Sequence, residues 1–236
     1  MGDEQIVTAA DFVQVLAATG RPVDGGIRVA PERELVSLTK LSRPRIREYL
    51  AGLQTVGLLK RVQGSGTLLR VPGADDEANV FTLMERSGQL PLDDIDEFRE
   101  MLEIGVLPQL AGTLQEARVA ELRLRIEEMH AASRAGDAEA GCEADLAFHR
   151  AVLRCAGNRL LDFIIDSLDG TLRAHILDRR VRALAAEAEA NGGERPASFR
   201  TDAVHEEILE ALISGDDVAT ARAVRLHFSV HRGLLS

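Results

Sequence analysis

The chain has 236 residues, 45% of them hydrophobic, which is enough apolar material for one or two packed cores and excludes compositional disorder. Its two cysteines, Cys142 and Cys155, form no Cys-x-x-Cys pair, which argues against a disulfide framework and a thiolate zinc site. No apolar run approaches the roughly 18 residues of a spanning helix, so no membrane partner is expected and the expected location is the cytoplasm. The formal net charge of −10 is unevenly spread. Residues 1–73 hold 10 Lys+Arg against 7 Asp+Glu, whereas the remainder holds 18 against 31. Seven of those ten basic residues fall in KLSRPRIRE and LLKRVQGSGTLLR, a local phosphate-binding surface on an otherwise acidic molecule.

A first helix is expected at about 8–19, followed by a loop containing Gly-Arg-Pro and Asp-Gly-Gly. In PERELVSLTK, Pro31 suits a first helical position and Glu32 the positive end of the helix dipole. Ser42 then caps RPRIREYLAGLQTVG, in which Ile46, Leu50 and Leu53 form one stripe. Two short helices on a tight turn make a helix-turn-helix. LLKRVQGSGTLLRV adds a hairpin turning at Gln-Gly-Ser-Gly, which completes a winged helix-turn-helix DNA-binding domain over 1–73. PGADDEANVF, rich in Pro, Gly and acidic residues, opens a linker placed at 74–91. From about 92 to 236 every periodic stretch has the helical period. The expected fold is therefore mainly α: a winged helix-turn-helix (α+β) followed by an all-α antiparallel helical bundle.

Within the bundle, EADLAFHRAVLRCAGN places Asp145 and His149 one helical turn apart on a shared face. DAVHEEILEALISGDDVATARAVRLHFSVHRG reads as two helices around a Ser-Gly-Asp-Asp turn, with His205 opening the first and His227 closing the second. In an antiparallel hairpin these two histidines lie near the same end. One Asp and three His offer the oxygen and nitrogen donors that suit a divalent metal, zinc foremost, or nickel, manganese or iron. The alternative is an ion pair or satisfied histidine in a polar core network. His130, His175 and His231 fit less well: the first sits at a polar helix end, the second in a charged segment, the third one turn after His227 near the end of the chain.

From about residue 30 to 232 the sequence resembles the GntR family of bacterial transcription regulators, in its FadR-like subgroup with a C-terminal FCD domain. The N-terminal match is PERELVSLTKLSRPRIREYLAGLQTVGLLKRVQGSGTLL; the C-terminal matches are FREMLE, DLAFHRAVLRCAGN and HEEILEALISGDDVATARAVRLH. The resemblance implies that Arg33, Arg43 and Arg47 contact DNA, with Gly66 in the wing tip near the minor groove. It likewise implies Asp145, His149, His205 and His227 as metal ligands and a carboxylate effector beside the metal. Arg99 in FREMLE either pairs with that carboxylate or forms an ion pair with Glu103. Two departures from the family pattern stand out: Pro31 replaces a capping hydroxyl, and Tyr49 replaces a small residue. Arg45, where many relatives are uncharged, is a further candidate DNA contact.

These features favour a non-enzymatic, metabolite-responsive repressor: a homodimer on a palindromic double-stranded DNA operator, released by a small carboxylic acid. The alternatives are a metal-dependent hydrolase using the Asp/His cluster and a regulator that senses the metal itself.

Overall fold

The computed structural model describes residues 8–64, 66–71 and 80–233. Ser65 of the wing turn and residues 74–79 of the expected linker lie outside the described residues. The chain divides into two compact units, Met1–Leu83 and Met84–Ser236.

In the first unit, α1 (Ala9–Thr19) starts at a capping box, in which the Thr8 side chain accepts from the Asp11 amide and the Asp11 carboxylate accepts from the Thr8 amide. The expected loop at 20–26 is instead a hairpin. Strands β1 (Arg21–Val23) and β2 (Gly26–Arg28) pair antiparallel around Asp24-Gly25, with Gly25 at φ 81° in the left-handed region that such a tight turn requires. The helix-turn-helix follows as α2 (Glu32–Thr39) and α3 (Arg43–Thr55), and the wing as β3 (Leu59–Val62) and β4 (Gly66–Leu69). The four strands form one antiparallel sheet in the order β1-β2-β4-β3, so the early hairpin extends the wing.

Pro31 stands one position before the first helical residue of α2 and provides no side-chain cap; Glu32 and Glu34 in the first turn supply the favourable charge there. Lys40, at φ 60°, ends α2 in a left-handed turn, and the Ser42 hydroxyl accepts from the Arg45 amide to start α3. Phe12, Leu16, Leu35, Ile46, Leu53 and Leu59 make the core of this unit.

The second unit begins within α4 (Val80–Arg86), a short helix inside the stretch expected as linker. Then come α5 (Leu92–Leu110), α6 (Glu116–Ala135), α7 (Ala138–Arg154), the 32-residue α8 (Arg159–Ala190), α9 (Arg200–Ser214) and α10 (Asp217–Gly233). Short polar caps set the ends: Asp137 accepts from the Ala140 amide, and Asn158 accepts from the Leu160 and Leu161 amides. The Glu187 carboxylate of α8 reaches the first amides of α9, at Arg200 and Thr201. Leu107, Leu122, Phe148, Val152, Ile208 and Phe228 belong to one continuous core to which α5, α6, α7, α8, α9 and α10 all contribute. No helix of the described residues is long and apolar enough to cross a membrane.

Candidate functional site

The exposed side of α3 carries the arginines singled out above. Arg43 is its first residue and Arg47 lies one turn further on, held by Glu32 of α2 at 2.9 Å; Arg33, in the first turn of α2, is also exposed. Arg45 is engaged differently. It pairs with Glu48 at 2.8 Å, donates to the Tyr49 hydroxyl at 3.1 Å, and lies over the Tyr49 ring with its guanidinium carbon 4.6 Å from the centroid. Tyr49 in turn stacks on Phe12 of α1, ring centroids 5.1 Å apart. The two unusual residues of this helix, Arg45 and Tyr49, therefore touch, and the aromatic stack fixes where the guanidinium sits. Gly66 is exposed at the start of β4 with φ 85°.

In the bundle, Asp145 and His149 project from α7, His205 from the first half of α9, and His227 and His231 from the last turns of α10. One donor atom each from Asp145, His205, His227 and His231 falls within 4.8 Å of all the others. His149 borders the same point, with its Nε2 3.8 Å from Asp145 Oδ1 and its ring centroid 4.7 Å from that of His227. The structure thus brings together three of the four residues named from the sequence, Asp145, His205 and His227, with His231 as the fourth member of the group and His149 at its border. The signal for His231 was the four-residue spacing from His227, the same spacing that ties His149 to Asp145.

Hydrogen bonds outside the cluster settle which ring nitrogens face inward. His149 Nδ1 lies 2.8 Å from Glu103 Oε2, and His205 Nδ1 lies 3.0 Å from the Asp202 carbonyl oxygen. A carbonyl, or an ionised carboxylate, can only accept, so each Nδ1 carries a proton. When these imidazoles are neutral, both Nε2 atoms present lone pairs to the cluster centre. Burial opposes ionisation of Glu103, but His149 and Arg99 outweigh it and hold the carboxyl below its usual range. Burial, reinforced by the neighbouring imidazoles, keeps His227 far below its ordinary value, and burial only partly offset by Asp145 pushes His231 down to about 3.

The result is a buried point ringed by acceptors. The His205 Nε2 lone pair faces Asp145 Oδ2 at 3.4 Å, and His149 Nε2, both nitrogens of His227 and His231 Nε2 have no hydrogen-bond partner. A divalent cation at this point would take one lone pair from each of these residues, a single ring nitrogen in the case of His227, with the Glu103 to His149 and Asp202 to His205 hydrogen bonds orienting the ligands from outside. The residues present fit a metal.

Arg99 of α5 is buried, donates to Glu103 Oε1 at 3.1 Å, and brings an unpartnered amino group to 3.8 Å from Asp145. Both roles considered for it are open to one side chain, since the pairing with Glu103 leaves that amino group directed at the cluster. His205 has a second support. Arg180 of α8, 2% exposed, donates to Asp202 Oδ1 at 2.6 Å and to the Ser133 hydroxyl at 2.7 Å. Its guanidinium lies against Gly141 of α7, where a Cβ would overlap it. This brace fixes the turn whose carbonyl holds His205.

A winged helix-turn-helix unit followed by an all-α bundle is the make-up of a transcription regulator. Residues 94–230 match the FCD domain family. LutR, an HTH-type transcriptional regulator of Bacillus subtilis, is 25% identical over 89% of this chain and 92% of its own length. A putative L-lactate dehydrogenase operon regulatory protein of Escherichia coli is 23% identical over 93% and 82% respectively. Among solved structures, Streptococcus agalactiae GntR shares the fold with a TM-score of 0.64 at 23% identity, covering 95% of this chain and 97% of that one. The chain belongs to the GntR family of transcription regulators, and an FCD domain makes up its C-terminal part. Its relatives are named as regulators, so the hydrolase alternative is set aside.

Proposed function

We propose that the protein is a homodimeric repressor that binds a palindromic operator and leaves it when a small carboxylate binds beside a divalent metal in the bundle. The metal, with zinc first in the order of candidates, is held by Asp145, His149, His205 and His227, with His231 within reach as a further donor. Supporting this reading above all is the ring of buried imidazole nitrogens that lack partners around one carboxylate. The metal supplies a positive charge and an open coordination position for an anionic ligand. Arg99 offers its unpartnered amino group to the same anion.

DNA reading falls to Arg33, Arg43, Arg45 and Arg47, with Gly66 letting the wing approach the duplex. A guanidinium fork suits guanine O6 and N7 or a phosphate. Two symmetric half-sites multiply the few contacts that one winged helix makes, which is the argument for a dimer. Arg47→Ala should weaken operator binding by about 1–3 kcal/mol, the value of one good base contact, while melting stays near that of the unaltered protein. The exposed pair with Glu32 contributes little to folding. A fluorescence anisotropy titration checks this; unchanged operator affinity removes Arg47 from the reading surface.

A further inference from the structure

Two cavities in the bundle meet at a single ion pair. The inner one, about 20 Å³, lies against Asp145, His227, His231 and Arg99. The outer chamber, about 310 Å³, is lined by three acidic residues, three arginines (Arg179, Arg182 and Arg232) and His175. Asp96 of α5 and Arg179 of α8 line both cavities, and they are joined at 2.8 Å with each side chain less than a tenth exposed. The pair is the partition between chamber and cluster.

The volumes decide what the partition does. The inner cavity has room for about one water, so nothing larger reaches the cluster while Asp96 and Arg179 stay joined. Breaking a buried pair by removing one partner is costly, but exchanging one carboxylate for another on the same guanidinium keeps the charge compensated. An incoming carboxylate is chemically equivalent to Asp96, and the displaced Asp96 still faces a chamber that contains Arg182 and Arg232. Among the described residues every side chain that lines the chamber ends in a charge or an imidazole, so a ligand with hydroxyls or further oxygens finds partners there that a hydrocarbon tail does not. At about 30 Å³ per water-sized group, the chamber holds roughly ten of them.

We propose that Arg179 is the carboxylate anchor of the effector, that Asp96 occupies this anchor in the ligand-free protein, and that the effector is a short hydroxylated carboxylic acid of up to about ten non-hydrogen atoms. The inference deepens the effector-regulated function proposed above and rests on it.

The test uses the full-length, metal-loaded protein with lactate, malate, tartrate, octanoate and benzoate, reading melting temperature and operator anisotropy. At least one of the three hydroxy acids raises melting and releases operator, and octanoate and benzoate do neither. Relative to each variant's own ligand-free operator affinity, Arg179→Met raises the concentration needed for release at least tenfold, and Asp96→Asn lowers it severalfold. Because Arg179→Met leaves Asp96 uncompensated, Asp96→Asn/Arg179→Met, which has no orphaned charge, repeats the measurement if the single variant does not fold. Release by octanoate or benzoate instead of the hydroxy acids overturns the proposal, as does an unaltered response after loss of Arg179 or no gain after Asp96→Asn; each leaves carboxylate regulation standing. If none of the five acids acts on the unaltered protein, the carboxylate effector falls, and this inference with it.

Discussion

Replacing His227 by alanine should strip the divalent ion from the purified protein and lower its melting temperature by several degrees. The unaltered protein should carry about one metal per chain, because the open nitrogens and the Asp145 carboxylate converge on one point. A ligand that binds only the folded state stabilises it by mass action, about 4 kcal/mol when its free concentration is a thousand times the dissociation constant. His227 is the informative position because both its ring nitrogens lack hydrogen-bond partners, so its removal orphans no donor or acceptor elsewhere. Much of the difference in melting between the two proteins should therefore vanish in EDTA. Elemental analysis of tag-free protein prepared without chelator, followed by melting with added zinc, nickel or manganese, is the measurement. If the unaltered protein holds no metal and none of the three ions raises its melting temperature, the cluster is a polar core network in which His205 pairs with Asp145.

Sequence alone located much of this cluster because its pairs obey local rules. Asp145 and His149 are four apart on one helix, so their shared face needs no tertiary information. His205 and His227 meet because a two-residue connection at Gly215-Asp216 folds α9 back on α10, bringing the start of one to the end of the other; their rings are 4.6 Å apart. His231 has the same four-residue signal but fitted less well for lying near the end of the chain; α10 stays helical through Gly233 and carries it into the cluster. Glu103, the partner of His149, lies 46 residues away on α5. Its place depends on the register of α5 against α7, which no local pattern encodes.

The DNA-binding unit teaches a similar lesson. Val23-Asp24-Gly25-Gly26 contains the Asp-Gly pair that favours a two-residue hairpin turn. Its strands are only three residues each, too short for alternation to be recognised, and they become strands by pairing with each other and, through β2, with β4 of the wing. The contact between Arg45 and Tyr49 was readable as an i, i+4 pair, but the Phe12 ring that fixes Tyr49 comes from α1.

Arg180→Met should destabilise the protein by about 3–5 kcal/mol, the cost of leaving a buried charge without its partner. Asp202 is fully buried, and among the described residues its carboxylate has, besides Arg180, His130 nearby, whose Nδ1 is 3.9 Å away. Melting should fall on the order of 10 °C for a unit of this size. Removing both charges is a different matter, since no buried charge is then left without its partner. Asp202→Asn/Arg180→Met should therefore be clearly more stable than the single variant, which a urea titration of both proteins will measure. The same series separates bracing from mere stability. The Asp202 carbonyl holds His205 Nδ1, so the single variant should also bind zinc more weakly at a temperature where it remains folded, and the double variant should recover part of that affinity. A single variant as stable as the unaltered protein, or a double variant no better than the single, would mean that Asp202 finds another partner and that Arg180 does not position His205.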